Sequence, residues 1–485
     1  MSLAGSTLAG GRPVLAAAAE AVERADLHRR HGRVRDLIGL VVEASGMEAP
    51  AGELCLVEAG RNQPPVPAEV VGFRAGRTLL MPLGELHGVA PGRRVTPTGE
   101  ALAVPVGDAM LGRVLDGLGR PVDGSVLGEH LSRRPAHAPP PDPLTRPRIT
   151  DRVSLGVRAL DALVPCGRGQ RLGIFAGSGV GKSSLLGMIA RRTSADVNVI
   201  CLVGERGREL REFIERDLGD AIERSVVVCA TSDQPALVRI AAAFTATAIA
   251  EHFRDEGKDV MLMMDSVTRF AMAQREVGLA VGEPPATRGY TPSVFAMLPK
   301  LLERSGTSTR GSITGLYTVL VDGDDMNEPI ADAVRSILDG HVVLTRELAH
   351  KGHYPAVDVL QSVSRLVGEI VAPEVRHAGM ELRALMSALK DKEDLIAIGA
   401  YQRGADPLVD AGIALRRDVD GFLRQSVEEP DPGDADAADA RLLDLVARSR
   451  ALRDEPALAA GDAGWAAPPP GEGGPSALPP LHLAI

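Results

Sequence analysis

Residues 171–183 read Arg-Leu-Gly-Ile-Phe-Ala-Gly-Ser-Gly-Val-Gly-Lys-Ser, an apolar run that leads into a glycine-rich loop. The run has the length of a buried strand, and residues 182–192 have the pattern of a helix. Glycines in this context let backbone N–H groups wrap around phosphates, a lysine neutralises the β- and γ-phosphate charge, and a serine hydroxyl ligates Mg²⁺. The sequence therefore predicts a phosphate-binding loop at residues 176–184, which we call the phosphate loop.

The phosphate loop supplies the first candidate site residues. Lys182 is the predicted catalytic cation, and Ser183 is the predicted Mg²⁺ ligand. Ala176 stands where the usual pattern has its first glycine, a modest departure because the later glycines remain. The alternative is a glycine-rich turn before an ordinary helix, and the strand that precedes the loop disfavours it. The predicted nucleotide-binding residues of the loop are Ala176, Gly177, Ser178, Gly179, Val180, Gly181, Lys182, Ser183 and Ser184.

Strand-length apolar runs alternate with helix-length segments on the carboxyl side of this loop. Such alternation is typical of a mainly parallel sheet with helices on both faces, so the predicted fold class is α/β. The predicted strands are 171–175, 197–203, 225–230 and 260–264, and the helices between them are 182–192, 209–218 and 235–256.

The most apolar long stretch, residues 235–253, lies between two of these strands. A membrane span is the alternative for a segment of this length. Arg239, Glu251 and His252 lie at or near its ends. The polar ends and the neighbouring strands favour a buried crossover helix.

Carboxylates follow two of the predicted strands. Asp265 ends the run 260–264, where a carboxylate can hold the water shell of Mg²⁺. Glu205 follows the run 197–203 and should emerge at the same edge of the sheet as the phosphate loop. Hydrolysis needs a base or water-positioning group there, so Glu205 is a predicted catalytic residue, with Arg206 as its electrostatic support. The alternatives are an ordinary exposed aspartate at a strand end and a surface Glu-Arg pair.

The rest of the chain divides by pattern. Leu15, Ala18, Val22 and Ala25 share one face of a short helix, and the pattern leaves open whether that face packs on a partner or on this chain. The predicted segments are an amphipathic helix within 1–30, a small β-barrel at 31–105, the nucleotide-binding domain at 106–370 with a proline-rich linker at 135–148, a helical domain at 371–427, and a low-complexity, disordered tail at 428–485.

Composition restricts the class of protein. Hydrophobic residues are 45% and charged residues 24% of the 485, as in folded soluble proteins. The net charge of -10 disfavours nucleic acid as a main partner. The four cysteines have neither metal-site nor disulfide-scaffold spacing, and no secretion signal is visible at the N-terminus, which together favour a reduced, cytosolic setting.

Four motifs in register carry a family resemblance. They are the phosphate loop, Gly-Glu-Arg-Gly-Arg-Glu at 204–209, Pro-Pro-Ala-Thr-Arg-Gly-Tyr-Thr-Pro-Ser at 284–293, and Pro-Ala-Val-Asp-Val-Leu-Gln-Ser-Val-Ser-Arg at 355–365. Together they resemble the rotary ATPase and type III secretion ATPase superfamily. The resemblance spans about residues 34–425 and implies a RecA-like nucleotide-binding core between an N-terminal β-barrel and a C-terminal helical domain.

Residues 174–179 and the stretch Val-Asp-Gly-Asp-Asp-Met-Asn-Glu-Pro-Ile-Ala-Asp at 321–332 most resemble the flagellar protein-export ATPases. Injectisome export ATPases are close relatives and remain the alternative. The resemblance implies a homohexameric ring that hydrolyses ATP with Mg²⁺ to energise export, in the cytoplasm at the inner face of the export apparatus. It also implies a stator or regulator protein on the N-terminal helix, a central stalk protein in a bore lined by residues 284–293, contacts with the export gate and substrate-chaperone complexes, and peripheral membrane association.

Two site residues follow from the resemblance alone. Arg365 matches the arginine finger of the family, and Glu205 matches its catalytic glutamate, so one chain carries both and a ring of identical chains could complete every site. Tyr354 matches the adenine-stacking tyrosine. The alternatives are an interface arginine without a catalytic role and a tyrosine packed on its own domain.

Two other function classes share parts of this pattern. A helicase-like nucleic-acid translocase would have a basic, aromatic-bearing barrel, whereas aromatic residues are 3% of this chain. A non-catalytic nucleotide-binding subunit is the second alternative. The presence of Lys182, Glu205 and Asp265 together disfavours it.

Overall fold

The computed structural model describes residues 30–454, apart from 61, 123, 129–130, 322, 324 and 430–432. The strands are β1 (Gly32–Ile38), β2 (Val41–Ser45), β3 (Glu53–Val57), β4 (Val66–Arg74), β5 (Arg77–Pro82), β6 (Arg94–Ala101), β7 (Ala103–Val106), β8 (Val114–Asp116), β9 (Ser132–Pro135), β10 (Arg152–Val153), β11 (Cys166–Gly167), β12 (Arg171–Ala176), β13 (Val197–Glu205), β14 (Ser225–Thr231), β15 (Asp259–Asp265), β16 (Gly306–Thr307), β17 (Ser312–Leu320), β18 (Gly340–Leu344) and β19 (Val357–Ser364).

The α-helices are α1 (Arg158–Leu163), α2 (Lys182–Arg192), α3 (Gly207–Glu212), α4 (Ala236–Asp255), α5 (Val267–Val281), α6 (Pro292–Leu302), α7 (Pro329–Ile337), α8 (Arg346–His350), α9 (Val367–Ile370), α10 (Pro373–Asp391), α11 (Glu393–Ala397), α12 (Pro407–Leu423) and α13 (Ala435–Asp454). A π-helical turn follows α3 at Phe213–Leu218. Short 3-10 helices lie at Asp108–Met110, Gly219–Arg224 and Thr287–Gly289.

The first six strands close into an antiparallel barrel in the order β1-β2-β5-β4-β3-β6. Its interior is apolar because alternate residues of each strand point inward, as Cys55 and Val57 of β3 do. Glu43 is buried at the barrel wall between Arg74 and Arg77, whose guanidinium nitrogens lie 2.7 and 2.6 Å from its carboxylate oxygens. The predicted N-terminal β-barrel is confirmed.

A mainly parallel sheet of nine strands forms the centre of the molecule, as the sequence predicts. Its order is β19-β18-β12-β17-β15-β13-β14-β8, with β16 paired to β17. The pairs from β18 to β8 along this order are parallel, and β19 is antiparallel to β18. One apolar layer under helices α4 to α7 covers one face, and a second layer under α1, α2 and the C-terminal helices covers the other. The carboxyl ends of β12, β13 and β15 therefore meet at one edge, which we call the carboxyl edge.

Helix α4 connects β14 to β15 and packs on the sheet and on α5. Among the described residues it alone is long and apolar enough to span a membrane, yet 89% of its most apolar window is buried inside the protein. Thr245 and Glu251 are buried within it and are hydrogen-bonded. The prediction of a buried crossover helix is confirmed.

The predicted proline-rich linker has no regular element between β9 and β10, but the nucleotide-binding domain holds it firmly. Arg146 donates hydrogen bonds to the backbone oxygens of Glu303 and Ser305 at 2.5 and 3.0 Å. Arg304 is 1% exposed and donates to the backbone oxygen of Ala136 at 2.6 Å while it pairs with the buried Glu251 at 2.8 Å. The connection between barrel and sheet is thus anchored at both ends.

The predicted disordered tail at 428–485 is wrong for the residues that form α13. This helix packs on α1, α10 and α12. The apolar residues Ala438, Leu442, Leu445 and Val446 recur at helical spacing and are buried. That spacing was the signal, and an alanine- and aspartate-rich composition hid it. The predicted helix within 1–30 and the tail from residue 455 lie outside the described residues.

Candidate functional site

The phosphate loop follows β12, a central strand, and ends where α2 begins. Gly179 and Gly181 have φ angles of 79° and 88°, a backbone region that favours glycine. These turns bring successive backbone N–H groups to the amino end of α2, where the helix dipole favours an anion. Ser178, Gly179 and Ser183 are exposed. The loop thus has the form of a phosphate cradle that is open to solvent.

Asp265 ends β15 at the carboxyl edge, two strands from β12. Its Oδ1 lies 2.5 Å from Nζ of Lys182 and accepts a 2.8 Å hydrogen bond from Oγ1 of Thr318 on β17. Asp265 is 3% exposed, so these two partners fix a buried carboxylate. Thr318 is not among the predicted site residues, because β17 is not among the predicted strands.

Glu205 ends β13, and its Oε1 lies 4.0 Å from Nζ of Lys182. Burial and the negative charge of Asp265 raise the pKa of Glu205 to about 7, and Lys182 opposes this shift. A carboxylate with such a pKa is suited to accept a proton near neutral pH. The structure therefore brings Lys182, Glu205 and Asp265 together, as the sequence predicts.

The predicted support of Glu205 by Arg206 is not seen. The Arg206 side chain is 70% exposed, and its Nη1 lies 3.4 Å from a carboxylate oxygen of Glu209. Arg206 immediately precedes the first turn of α3, and its partner is Glu209 in that turn. The cation beside Glu205 is Lys182. Glu205 and Arg206 are adjacent in sequence, but their partners differ because β13 ends between them.

Tyr354 lies over the phosphate loop. Two of its ring carbons, Cδ1 and Cε1, are 3.4 Å from the point where a Cβ on Gly181 would lie. The side chain is half-exposed, and its backbone oxygen accepts a 3.0 Å hydrogen bond from the N–H of Gln425. An exposed aromatic ring beside a phosphate loop is a surface on which a flat base can stack.

Arg365 lies at the opposite edge of the sheet. In the register of parallel β12 and β18, Ala176 faces Leu344, at the carboxyl edge. In the antiparallel pair of β18 and β19, Ser364 faces Gly340, at the amino end of β18. Four residues of strand, or about 13 Å, therefore separate the level of Ser364, which Arg365 follows, from that of Ala176 at the start of the phosphate loop. Arg365 is exposed, and its Nη2 donates to the backbone oxygen of Arg335 at 3.3 Å.

The oxygen donors at the carboxyl edge suit Mg²⁺ that arrives with a nucleotide. Among the described residues, no cluster of three or more His, Cys, Asp or Glu side chains could hold a metal ion. Mg²⁺ bound through phosphates needs only one or two protein oxygens and retains water. Ser183 offers an exposed hydroxyl in the first turn of α2. The hydrogen bonds from Lys182 and Thr318 both engage Oδ1 of Asp265, not Oδ2.

Three family models match successive parts of the chain. The β-barrel domain model of the ATP synthase alpha/beta family matches residues 34–99, and the nucleotide-binding domain model of that family matches residues 156–364. The C-terminal domain model of the T3SS EscN ATPase matches residues 371–438. The order of the models is that of the barrel, the sheet and the helices in the structure.

Relatives match over most of the chain. It is 55% identical over 413 residues to the flagellum-specific ATP synthase of Bacillus subtilis, covering 85% of this chain and 94% of that protein. It is 50% identical over 402 residues to the type 3 secretion system ATPase of Xanthomonas euvesicatoria, covering 83% and 91%. The solved structure of the assembled ATPase EscN from the type III secretion system of enteropathogenic E. coli matches with a TM-score of 0.81 at 46% identity, covering 86% of this chain and all of that one. EscN in complex with its central stalk EscO matches with a TM-score of 0.79 at 46% identity, with the same coverage.

Proposed function

The chain belongs to the ATP synthase alpha/beta family, among the flagellum-specific and type 3 secretion ATPases, and we propose that it works as a homohexameric ring that powers flagellar protein export. It is an ATPase, and the energy of ATP hydrolysis serves type III export. The observation that carries the proposal is the division of the site between the two edges of the sheet, because Arg365 and the phosphate loop of the same chain lie at opposite ends of the parallel strands.

At the carboxyl edge, each residue has a separate task in hydrolysis. The N–H groups of the phosphate loop and the Lys182 ammonium group hold the β- and γ-phosphates. Ser183 and Asp265 would hold Mg²⁺, which supplies positive charge for the phosphate oxygens. Glu205, with its raised pKa, orients the attacking water and accepts its proton. The Thr318 hydroxyl keeps Asp265 in one orientation.

The edge of the sheet opposite the carboxyl edge, where the parallel strands begin, is called the amino edge. There, Arg365 acts on the active site of a neighbouring chain. An arginine in trans stabilises the charge that develops on the transferred phosphoryl group. Identical chains around a closed ring give every site one phosphate loop and one arginine from the next subunit. Two findings support this arrangement: Arg365 is exposed at the edge opposite its own loop, and the matching EscN structure is of an assembled ATPase.

We propose flagellar export and keep injectisome export as the alternative, because relatives of both kinds match the chain. The flagellum-specific protein of Bacillus subtilis is 55% identical, and the Xanthomonas secretion ATPase is 50% identical. By this proposal the ring lies in the cytoplasm at the inner face of the export apparatus and associates peripherally with the membrane. A central stalk protein occupies its bore, as the EscN and EscO complex supports. A stator or regulator binds the N-terminal segment, and the export gate and substrate-chaperone complexes are its other partners.

The decisive test has two arms. Phosphate release by the purified full-length chain with ATP and Mg²⁺ tests the enzyme, and EDTA should abolish that activity. Expression in Bacillus subtilis cells that lack their own flagellum-specific ATPase tests the export system, and swimming should return. The matched control is the same chain with Lys182→Ala. Rescue of an injectisome-deficient strain without rescue of swimming would assign the chain to the injectisome class.

A further inference from the structure

The segment at residues 424–429, between α12 and α13, is bound to the nucleotide-binding domain by arginines. Arg191 and Arg192 are the last residues of α2, the helix that begins at the phosphate loop. Each donates a hydrogen bond to the backbone oxygen of Val427, at 3.3 and 3.2 Å, and Arg192 also donates to that of Glu429 at 2.6 Å. The end of the helical domain is therefore held to the far end of the phosphate-loop helix.

Arg158 in α1 also binds this segment through its guanidinium group. It is 5% exposed, its Nε donates to the backbone oxygen of Phe422 at 3.2 Å, and its Nη2 donates to that of Arg424 at 2.5 Å. Its Nη1 pairs with the carboxylate of Glu429. These carbonyls are at and beyond the carboxyl end of α12, where a cation is favoured.

Gln425 lies at the centre of these contacts and is 3% exposed. Its side-chain Oε1 accepts a 2.8 Å hydrogen bond from the N–H of Arg158, and its Nε2 donates a 2.8 Å hydrogen bond to the backbone oxygen of Gly156. Both ends of the amide are thus engaged inside the protein, which fixes the position of the residue. The backbone N–H of Gln425 donates to the backbone oxygen of Tyr354 at 3.0 Å.

The loop that carries Tyr354 has a second contact with this segment. Arg424 donates from Nη1 to the backbone oxygen of Gly352 at 3.3 Å. The Tyr354 ring itself lies against Gly181 of the phosphate loop. A shift of Gln425 would therefore move the peptide of Tyr354 and with it the ring.

We infer that Gln425 is a positioning residue for nucleotide binding, which holds Tyr354 at the height where the base of ATP stacks. The inference rests on the proposed function. Gln425 acts through the Tyr354 backbone, because its side-chain amide and its N–H are engaged within the protein. Because it follows α12 of the helical domain, it also makes nucleotide affinity depend on how that domain packs on the sheet. The phosphate contacts of Lys182 and the loop do not pass through Gln425.

This separation predicts a signature that a merely structural residue would not give. Gln425→Ala should raise the KM for ATP about fivefold to tenfold, part of what a stacked base contributes, with kcat changed by less than about twofold. Tripolyphosphate has the phosphates of ATP and no base. Its inhibition constant as the Mg²⁺ complex should stay within about twofold of wild type, because the phosphate loop is unaltered.

The experiment uses the purified full-length chain. The matched control is Gln402→Ala, an exposed glutamine of the same helical domain, which should leave both constants unchanged. Tyr354→Ala should raise the KM at least as much, and the double variant with Gln425→Ala should add little, since both act on one contact. Arg424→Ala alters an exposed side chain and should give a smaller shift in the same direction, even if Gln425→Ala folds poorly.

Several outcomes would overturn the inference. One is an unchanged KM for ATP in Arg424→Ala and also in either Gln425→Ala or Tyr354→Ala. Another is equal weakening of ATP and tripolyphosphate binding. The third is additive effects of the two substitutions in the double variant. A wild-type chain without ATPase activity would instead contradict the proposed function. That result comes from the wild-type chain and not from the variants, so failure of the proposed function and failure of the inference are distinguishable.

Discussion

The two edges of the central sheet differ in how complete they are. At the carboxyl edge, Nζ of Lys182 lies 2.5 Å from Asp265 and 4.0 Å from Glu205, and all three residues are half-buried or buried. At the amino edge, Arg365 is exposed and donates to a backbone oxygen of its own chain at 3.3 Å. The groups of the first edge are paired with one another inside the protein, whereas the second edge has an exposed cation. By the proposed function, each chain therefore carries two halves of a site, and two neighbouring chains complete it.

The largest expected effect on ATP hydrolysis comes from removing a charged group at the carboxyl edge. Lys182→Ala should reduce ATP hydrolysis to below about one thousandth of wild type, because the γ-phosphate loses its fixed cation. Steady-state phosphate release measures this. Lys300→Ala, an exposed lysine on α6, is the matched control and should stay active. Near-normal turnover in folded Lys182→Ala protein would remove the phosphate loop from the site.

The next effect tests whether the two edges belong to different chains. Glu205→Gln and Arg365→Ala should each lower turnover about a thousandfold, and mixed rings of the two should recover part of it. An interface between the intact Glu205 of one chain and the intact Arg365 of the other is complete. Co-assembled rings, verified by mass, are compared with each variant alone.

The control for that mixture is Glu205→Gln combined with the double variant Glu205→Gln, Arg365→Ala. No interface in those rings has Glu205, so activity should stay low. Absence of recovery in the first mixture would contradict an arginine that acts in trans. A titration of wild type with either variant shows whether every site in a ring must be intact for turnover.

A smaller effect concerns the pKa of Glu205, which burial and the charge of Asp265 raise to about 7. The ionised form is the one that accepts a proton, so kcat/KM should fall as pH drops below about 7. A hydrogen bond and the charge of Glu209 also raise this pKa, so Glu209→Gln should move the acid limb to lower pH. Glu215→Gln, an exposed glutamate that pairs with Arg211, should leave the limb in place.

The same pKa predicts a change in stability. A carboxyl group with a raised pKa in the folded state stabilises the fold below its unfolded-state pKa of about 4.3, and this contribution is lost as pH rises through about 7. Glu205→Gln should therefore raise the thermal midpoint, relative to wild type, more at pH 8 than at pH 5. Equal differences at both pH values would contradict the shifted pKa.

The smallest effect on activity lies far from both edges, in α13. Leu442→Ala removes a fully buried side chain and should lower the free energy of unfolding by about 2 to 4 kcal/mol, with ATPase activity at 25 °C nearly unchanged. Leu443→Ala, at a neighbouring position that is 38% exposed, is the control and should cost much less. Denaturant titration measures both. Equal, negligible effects of the two substitutions would contradict a packed α13 and would support the disordered tail that the composition predicts.

The fold was predictable where one local pattern sufficed. The helix predicted at 182–192 is observed at the same residues, and the four predicted strands are all present within a few residues of their ends. The predicted strands do not include the edge strand β19, its neighbour β18 or the central strand β17. Their assignment to the sheet depends on pairing partners such as β12, which lies more than one hundred residues away in sequence.

Sequence alone determined the phosphate loop and the placement of Glu205 and Asp265, because a parallel sheet brings the carboxyl ends of its strands to one edge wherever they occur. The tertiary structure sets which partners these groups have. In it, the cation beside Glu205 is Lys182 and not Arg206. Thr318 is hydrogen-bonded to Asp265, and Gln425 is hydrogen-bonded to Tyr354. Each of these contacts joins residues at least 23 positions apart, so strand pairing and helix packing set them, and no local spacing encodes them.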